Sequence, residues 1–178
     1  MAILGNGRSL LDHDLSRITV PTIGLNRSWR LHGSTYFVCA DYRHYCKAFD
    51  RMKHLFVSGF ASAEKWGVGT RVKALVGGDH WSDDLERGWV LCHTDGPGSV
   101  LHASLQLAKW LGFQTAYLLG TDFHGPHFDG TEAYGQMDVY HNKLMAVARQ
   151  RSGMDLYVCG SPDSRCELPK VGFEEVCR

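Results

Sequence analysis

The chain has 178 residues, 44% of them hydrophobic and 21% charged, the composition of a globular protein long enough to bury a core. Nineteen basic residues balance nineteen acidic ones, so the chain lacks the basic excess of a general nucleic-acid-binding protein. No apolar stretch reaches the length of a membrane span and no signal-peptide pattern opens the sequence, so we expect one cytoplasmic domain over residues 1–178.

The first half of the chain alternates short apolar runs with turns. The runs that predict strands are Ala2–Leu4, Thr22–Leu25, 36–40, 54–57, 72–76 and Trp89–Cys92. A helix-like stretch follows Ser9, and a second helix is expected between Asp41 and Met52. Residues 61–88 are rich in glycine, tryptophan and charge and predict no particular element.

The second half has clearer periodicity. Apolar residues at near-helical spacing follow Ser99 and predict a helix over 100–111, with Gly112 as its C-terminal cap and Trp110 in the core. Strands over 116–119 and 156–159 flank a second helix over 139–149. Strands that alternate with helices predict an α/β, Rossmann-like fold with a mainly parallel sheet and helices on both faces.

Six cysteines are present, but no CxxC pair is among them. Cys39, Cys92 and Cys159 lie in or at the end of apolar runs, which favours buried free thiols over a disulfide framework. The sequence therefore predicts neither a structural zinc site nor an oxidising compartment.

Polar residues recur where the predicted strands end. Asn6, Asn26, Asp41 and Asp122 each follow a strand, and ligands of parallel sheets bind at this edge. Asp41 and Asp122 would orient a ribose or base or hold Mg²⁺, although capping of an ordinary turn is an equal alternative.

Two glycine-containing turns precede predicted helices. Gly5-Asn6-Gly7 allows close approach to a phosphate, with Ser9 as a cap, and Gly98-Ser99 offers a second helix N-terminus. Each is also compatible with an ordinary tight turn or helix entry. Two such turns at one sheet edge suit a nucleotide. His124, His127 and His141 are the candidates for acid–base chemistry.

Several segments together resemble a known enzyme family. Ile3 to Leu10 is similar to the GNGPSL opening of bacterial sialyltransferases of glycosyltransferase family forty-two, and also to motility accessory factors and hydroxymethylpterin diphosphokinase-like proteins. Thr22 to Asn26 resembles their second strand with its terminal asparagine. Gly98-Ser99, 107–113 and 117–123 resemble their later block of a Ser-Gly turn, a helix and a strand that ends in Gly-x-Asp-Phe.

The resemblance implies a Rossmann-like sheet that binds a nucleotide sugar, with CMP-sialic acid the donor of the best-known members. The positions that match the family's nucleotide-binding residues are Gly5, Asn6, Gly7, Ser9, Asn26, Gly98, Ser99, Gly120 and Asp122. Arg8 replaces the family's proline, and His124 stands where sialyltransferases have a tyrosine near the departing phosphate. His127 and His141 bracket the expected position of the catalytic base.

The sequence therefore predicts a glycosyltransferase-like enzyme that transfers a sugar from a nucleotide-sugar donor, CMP-sugar-like, to a hydroxyl acceptor. His127 is the preferred base, with His141 the alternative and His124 at the leaving phosphate. The acceptor is a glycan, a small molecule or a modified nucleic-acid base, and a homo-oligomer is compatible with the sequence. The alternatives are a pyrophosphokinase-like enzyme that uses ATP and Mg²⁺ and a non-catalytic nucleotide-binding module.

Overall fold

The computed structural model describes residues 1–39, 54–59, 70–76, 81–82, 84, 86, 88–92, 99–132 and 138–178. Its strands are β1 (Ala2–Leu4), β2 (Thr22–Leu25), β3 (Tyr36–Cys39), β4 (Leu55–Gly59), β5 (Thr70–Val76), β6 (Trp89–Cys92), β7 (Thr115–Leu119), β8 (Asp155–Cys159) and β9 (Lys170–Val171). Its α-helices are α1 (Val100–Trp110) and α2 (Asp138–Ser152).

The strands form one nine-stranded sheet in the order β6-β5-β4-β3-β2-β1-β7-β8-β9. Each of the eight strand pairings in the described part of the chain is parallel. The chain builds the sheet outward from β1 through β6, then returns to the other side of β1 with β7. The predicted α/β, Rossmann-like fold is confirmed, and its strand order reverses at β1.

The two faces of the sheet are covered differently. Ile3, Ile23 and Leu118 pack with α1 and α2 in the larger core. Their alternating neighbours Leu4 and Leu119 face the opposite side, where short 3₁₀ helices contribute the covering residues Leu10, Leu15, Phe173 and Val176. Side chains alternate between faces along a strand, so β1, whose residues are 0% exposed, contributes to both cores.

Helix α1 is buried along most of its length. Its residues from Leu101 to Ala108 are all buried, and Gly112 terminates the helix with φ +86°, a conformation that costs glycine little. Trp110 is 50% exposed, so its predicted core position is wrong. The near-helical apolar spacing located the helix but did not show that its last turn extends beyond the sheet.

The stretch after Ser9 also differs from the prediction. Residues Arg8–Asp12 form a 3₁₀ helix with Gly7 at its N-cap and no side-chain cap. Ser9 therefore does not cap a helix. Strand β9 was not predicted, because two residues are too short to show a pattern. Within the described residues, no helix is both long and apolar enough to cross a membrane.

Candidate functional site

The reversal of strand order at β1 locates the candidate site. Both neighbours of β1 are parallel to it, so the carboxyl ends of β2, β1 and β7 lie side by side. In open parallel sheets, ligands bind in the crevice outside such a switch point. We call this region the switch-point edge, and its loops comprise residues 5–9, 26–31 and 120–132.

The glycine turn after β1 is hydrogen-bonded to the loop after β7. The amides of Gly5 and Gly7 donate to the carbonyl oxygens of Leu119 (2.8 Å) and Gly120 (2.7 Å). A Cβ on Gly7 would lie 2.6 Å from Cγ of Asp122, so close packing demands glycine there. These two amides donate to protein carbonyl oxygens, so in this arrangement they do not also donate to a phosphate that approaches the glycine turn.

Asp122 joins the ends of three strands. Its carboxylate accepts hydrogen bonds from the amide (3.0 Å) and hydroxyl (2.5 Å) of Ser9 after β1, and from the hydroxyl of Ser161 after β8 (2.9 Å). The residue is only 6% exposed. A metal ion or ribose would have to displace these donors, so the contacts of Ser9 and Asp122 indicate positioning of the loops.

Asn6 and Asn26 lie at the ends of adjacent strands. Oδ1 of Asn6 accepts a hydrogen bond from the amide of Arg27 (3.1 Å), which fixes the β1 turn against the loop after β2. Asn26 adopts φ +46°, and its buried Oδ1 has no partner in the described part of the chain. Left-handed backbone and an unpaired buried oxygen are both costly and are typical of ligand sites.

The loop after β7 contributes a second unpaired group. Thr121 is 4% exposed, and its buried Oγ1 has no hydrogen-bond partner among the residues that the structure describes. Phe123, two residues on, has φ +60°. Leaving a buried hydroxyl unpaired costs about 1–3 kcal/mol. Oγ1 of Thr121 and Oδ1 of Asn26 are both closed to solvent, so a ligand would reach them only after the loops around them move apart.

Two arginines from the loop after β2 contact the loop after β7. Nη1 of Arg27 lies 3.1 Å, and Nη1 of Arg30 also 3.1 Å, from Oδ2 of Asp129. Arg27 also donates to the hydroxyl of Thr131. Burial alone would raise the pKa of Asp129, but hydrogen bonds from Thr131 and the two arginine charges outweigh it and lower the pKa. Asp129 is therefore a stable anion.

His127 lies directly against the glycine turn. It forms an antiparallel bridge with Gly7, and the next amide, that of Phe128, donates to the carbonyl of Asn6 (2.9 Å). Burial lowers the pKa of His127, and the charge of Arg27 lowers it further, while Asp129 and the Asn6 carbonyl oppose the shift. The ring is therefore neutral at physiological pH and is able to accept a proton.

The other two candidate histidines contact different elements. A ring nitrogen of His124 is 2.9 Å from the carbonyl oxygen of Asp163, in the connection between β8 and β9. His141 lies on α2 and stacks on Phe123, with ring centroids 4.9 Å apart. Of the three, His127 is the one that the structure brings to the glycine turn.

Of the remaining predicted site residues, the structure describes Ser99 but not Asp41 or Gly98. Ser99 caps α1, and its side chain accepts a hydrogen bond from the amide of His102 (3.3 Å). Helix α1 leads back to the start of β7, so its N-terminus lies at the carboxyl edge of the parallel sheet. Asp41 and Gly98 are outside the described residues.

Comparison of the chain with protein-family models, characterised proteins and solved structures found no match. The site's chemistry therefore has to be inferred from its own side chains. No group of three histidine, cysteine or acidic side chains that could hold a metal ion occurs in the described parts of the chain.

The sequence did not single out several residues that the structure places at this edge: Arg27, Arg30, Thr121, Asp129, Thr131 and Ser161. For two of these residues, the sequence contained a signal that could have identified them, namely their position next to a predicted site residue. Arg27 directly follows the strand-end Asn26, and Thr121 directly precedes Asp122. Asp129 and Ser161 gave no such signal, because their partners are distant in sequence.

Two open grooves lie elsewhere, along α2 and the connection between β8 and β9. Their volumes are about 530 Å³ and about 570 Å³, and Asn142, Ala146 and Glu167 line both. Asn142 uses its side chain to bind the backbone at Arg165 and Glu167. Volume alone does not identify a site, and neither groove contains the unpaired polar atoms found at the switch-point edge.

Proposed function

We propose that the chain is a glycosyltransferase that binds a nucleotide-sugar donor at the switch-point edge and uses His127 as its general base. The observation that carries the proposal is a half-buried histidine with a lowered pKa, held against the glycine turn where the strand order reverses. A base of this kind suits removal of a proton from a hydroxyl at neutral pH.

The proposed reaction is a direct displacement. The neutral ring of His127 takes the proton of an acceptor hydroxyl as its oxygen attacks the anomeric carbon of the donor sugar. The bond from that carbon to the donor phosphate breaks, and the electron pair leaves with the phosphate oxygen. The acceptor is a hydroxyl of a glycan, a small molecule or a modified nucleic-acid base.

The two unpaired atoms are the proposed contacts to the nucleoside, once the loops after β2 and β7 have opened enough to expose them. Oδ1 of Asn26 accepts a hydrogen bond, while the hydroxyl of Thr121 donates or accepts one. A ribose hydroxyl or a base amino group is a suitable partner for either atom. We favour this reaction over ATP- and Mg²⁺-dependent pyrophosphoryl transfer, because protein donors already occupy the carboxylate of Asp122.

We further propose that the enzyme works in the cytoplasm. The four cysteines whose side chains are described, Cys39, Cys159, Cys166 and Cys177, are all free thiols. Free buried thiols suit a reducing compartment.

A ligand screen followed by kinetics tests the proposal. Thermal unfolding is measured with CMP, UDP, GDP and ATP, with and without Mg²⁺, since a ligand of the folded state raises the melting temperature. The sugar conjugates of whichever nucleotide stabilises the protein are then assayed for nucleotide release. Stabilisation by Mg-ATP alone would favour the pyrophosphokinase, and binding without release a non-catalytic module.

Substitution of the base completes the test. His127→Gln is expected to lower kcat by about 10²–10⁴-fold while the nucleotide still binds. His54→Asn is the matched control, because His54 is exposed and directly precedes β4, at the opposite edge of the sheet. Unchanged turnover in His127→Gln would remove the residue from the base role.

A further inference from the structure

A donor phosphate at the switch-point edge needs positive charge or free N–H donors. The amides of Gly5, Gly7 and Ser9 already donate to protein oxygens, so they are not free donors for a phosphate. Arg27 and Arg30 lie at the same edge, and Asp129 offers one carboxylate to both guanidinium groups. Guanidinium groups bind phosphate through paired N–H donors, so the arginines are suited to the role that the amides do not fill.

We propose that Arg27 and Arg30 form the phosphate-binding site for the nucleotide, in place of the backbone amides of the glycine turn. The inference rests on the proposed function and names the residues that bind the charged part of its donor.

Arg30 is held in an orientation that suits this role. Its guanidinium carbon lies 5.7 Å from the centroid of the Trp29 ring, and Nη1 donates to Asp129. The side chain is 46% exposed, and Nε and Nη2 make no hydrogen bond to any residue that the structure describes. A guanidinium group has five N–H donors in a rigid plane, so contact with Asp129 leaves donors for a phosphate oxygen.

Arg27 links the phosphate site to the proposed base. Its amide donates to Asn6, and its guanidinium group is close enough to His127 to lower the pKa of that ring. The side chain is 27% exposed, so it is less accessible than Arg30. A phosphate bound here would lie next to the residue that deprotonates the acceptor.

The chain provides a matched control at another place. Arg17 lies 6.0 Å from the centroid of the Phe173 ring and pairs with Glu174 at 2.7 Å. It has the same combination of aromatic and carboxylate contacts as Arg30 and a similar exposure of 50%. Arg17 lies in a 3₁₀ helix outside the switch-point edge, so a loss of charge there does not affect the proposed site.

Isothermal titration calorimetry of the whole chain tests the proposal. The titrants are CMP, UDP, GDP, their nucleosides and inorganic pyrophosphate; the proteins are wild type, Arg30→Ala, Arg30→Lys, Arg27→Lys and Arg17→Ala. For the nucleotide that the wild-type protein binds, we expect Arg30→Ala to reduce the affinity by about tenfold or more. The affinity for the corresponding nucleoside should be unchanged. Arg30→Lys is expected to recover part of the lost nucleotide affinity. Arg27→Lys should bind the nucleotide more weakly than wild type, and Arg17→Ala should bind it as tightly as wild type.

The outcomes separate this inference from the proposed function. If the Arg30 and Arg27 variants bind nucleotide and pyrophosphate as tightly as wild type, the arginine site is wrong while the nucleotide site stands. If wild type binds pyrophosphate through these arginines but binds no nucleotide more tightly, the proposed function is wrong while the anion site stands. If wild type binds none of the titrants, both are wrong.

Discussion

The hydroxyl oxygen of Ser9 lies 2.5 Å from Oδ1 of Asp122, although the two residues are 113 positions apart in the chain. The same carboxylate also accepts hydrogen bonds from the amide of Ser9 and the hydroxyl of Ser161. Asp122 therefore joins the loops that follow β1, β7 and β8, and it fixes the shape of the switch-point edge before any ligand arrives.

Removal of this carboxylate should destabilise the fold. Asp122→Ala leaves the buried hydroxyl of Ser161 and two part-buried donors of Ser9 unpaired, and we expect a loss of about 3 kcal/mol in the free energy of unfolding, measured with urea. Ser161→Ala, which removes one donor, should cost about 1 kcal/mol. The exposed Asp163 provides the control: Asp163→Asn should change stability by less than about 0.5 kcal/mol. Equal effects at the two aspartates would contradict this account.

Close packing at Gly7 gives a second prediction. A Cβ there would lie 2.6 Å from Cγ of Asp122 and 2.7 Å from the carbonyl oxygen of Gly120, so Gly7→Ala should cost more than about 2 kcal/mol. At Gly33 a Cβ meets nothing within 4 Å, and Gly33→Ala should be neutral or slightly stabilising. Chemical denaturation of both variants is the measurement, and a tolerated Gly7→Ala would show that the two loops are not packed as described.

These two positions show how far the sequence could predict the site. It located β1, β2, β7 and α1 because continuous apolar runs and helical spacing are local signals, and it placed Asn6, Asn26 and Asp122 just beyond the carboxyl ends of strands, where the structure has them. It predicted that Gly7 and Asp122 bind a nucleotide. In the structure, the amide of Gly7 and the carboxylate of Asp122 make hydrogen bonds to other protein groups. Ser161, a partner of Asp122, lies on a different strand end, and no local pattern reveals such a pairing.

The pH dependence of stability should report on His127. Burial lowers its pKa in the folded state, so protonation favours the unfolded chain, and stability should fall as the pH drops below about 6.5. His127→Gln should reduce this loss of stability. Burial also lowers the pKa of His32, so His32→Gln should remove a separate part of the stability loss at low pH. Urea unfolding between about pH 7.5 and about pH 5.5 measures both, and an unchanged pH slope in His127→Gln would contradict the assignment.

Thiol reactivity should distinguish the cysteines near the end of β8. Burial raises the pKa of Cys159 to about 12, helped by nearby Cys177 and Glu175, whereas Cys177 is only partly buried. In the native protein we expect iodoacetamide to modify Cys177 at least about tenfold faster than Cys159, because the thiolate is the reactive form. Peptide mass spectrometry follows both sites. In denaturant the two rates should converge, and equal rates in the native state would show that Cys159 is not shielded.

The central position of β1 has a consequence for folding. Ala2 pairs with Thr22 on one side and with Tyr117 on the other, so one edge of this strand gains its neighbour only after most of the chain has been synthesised. Such long-range pairing slows folding. Until β7 is available, the apolar residues Ile3 and Leu4 lie on an open strand edge, which is a template for pairing with other chains. Forms truncated before residue 115 should therefore aggregate during translation, whereas the completed sheet protects the same strand at its centre.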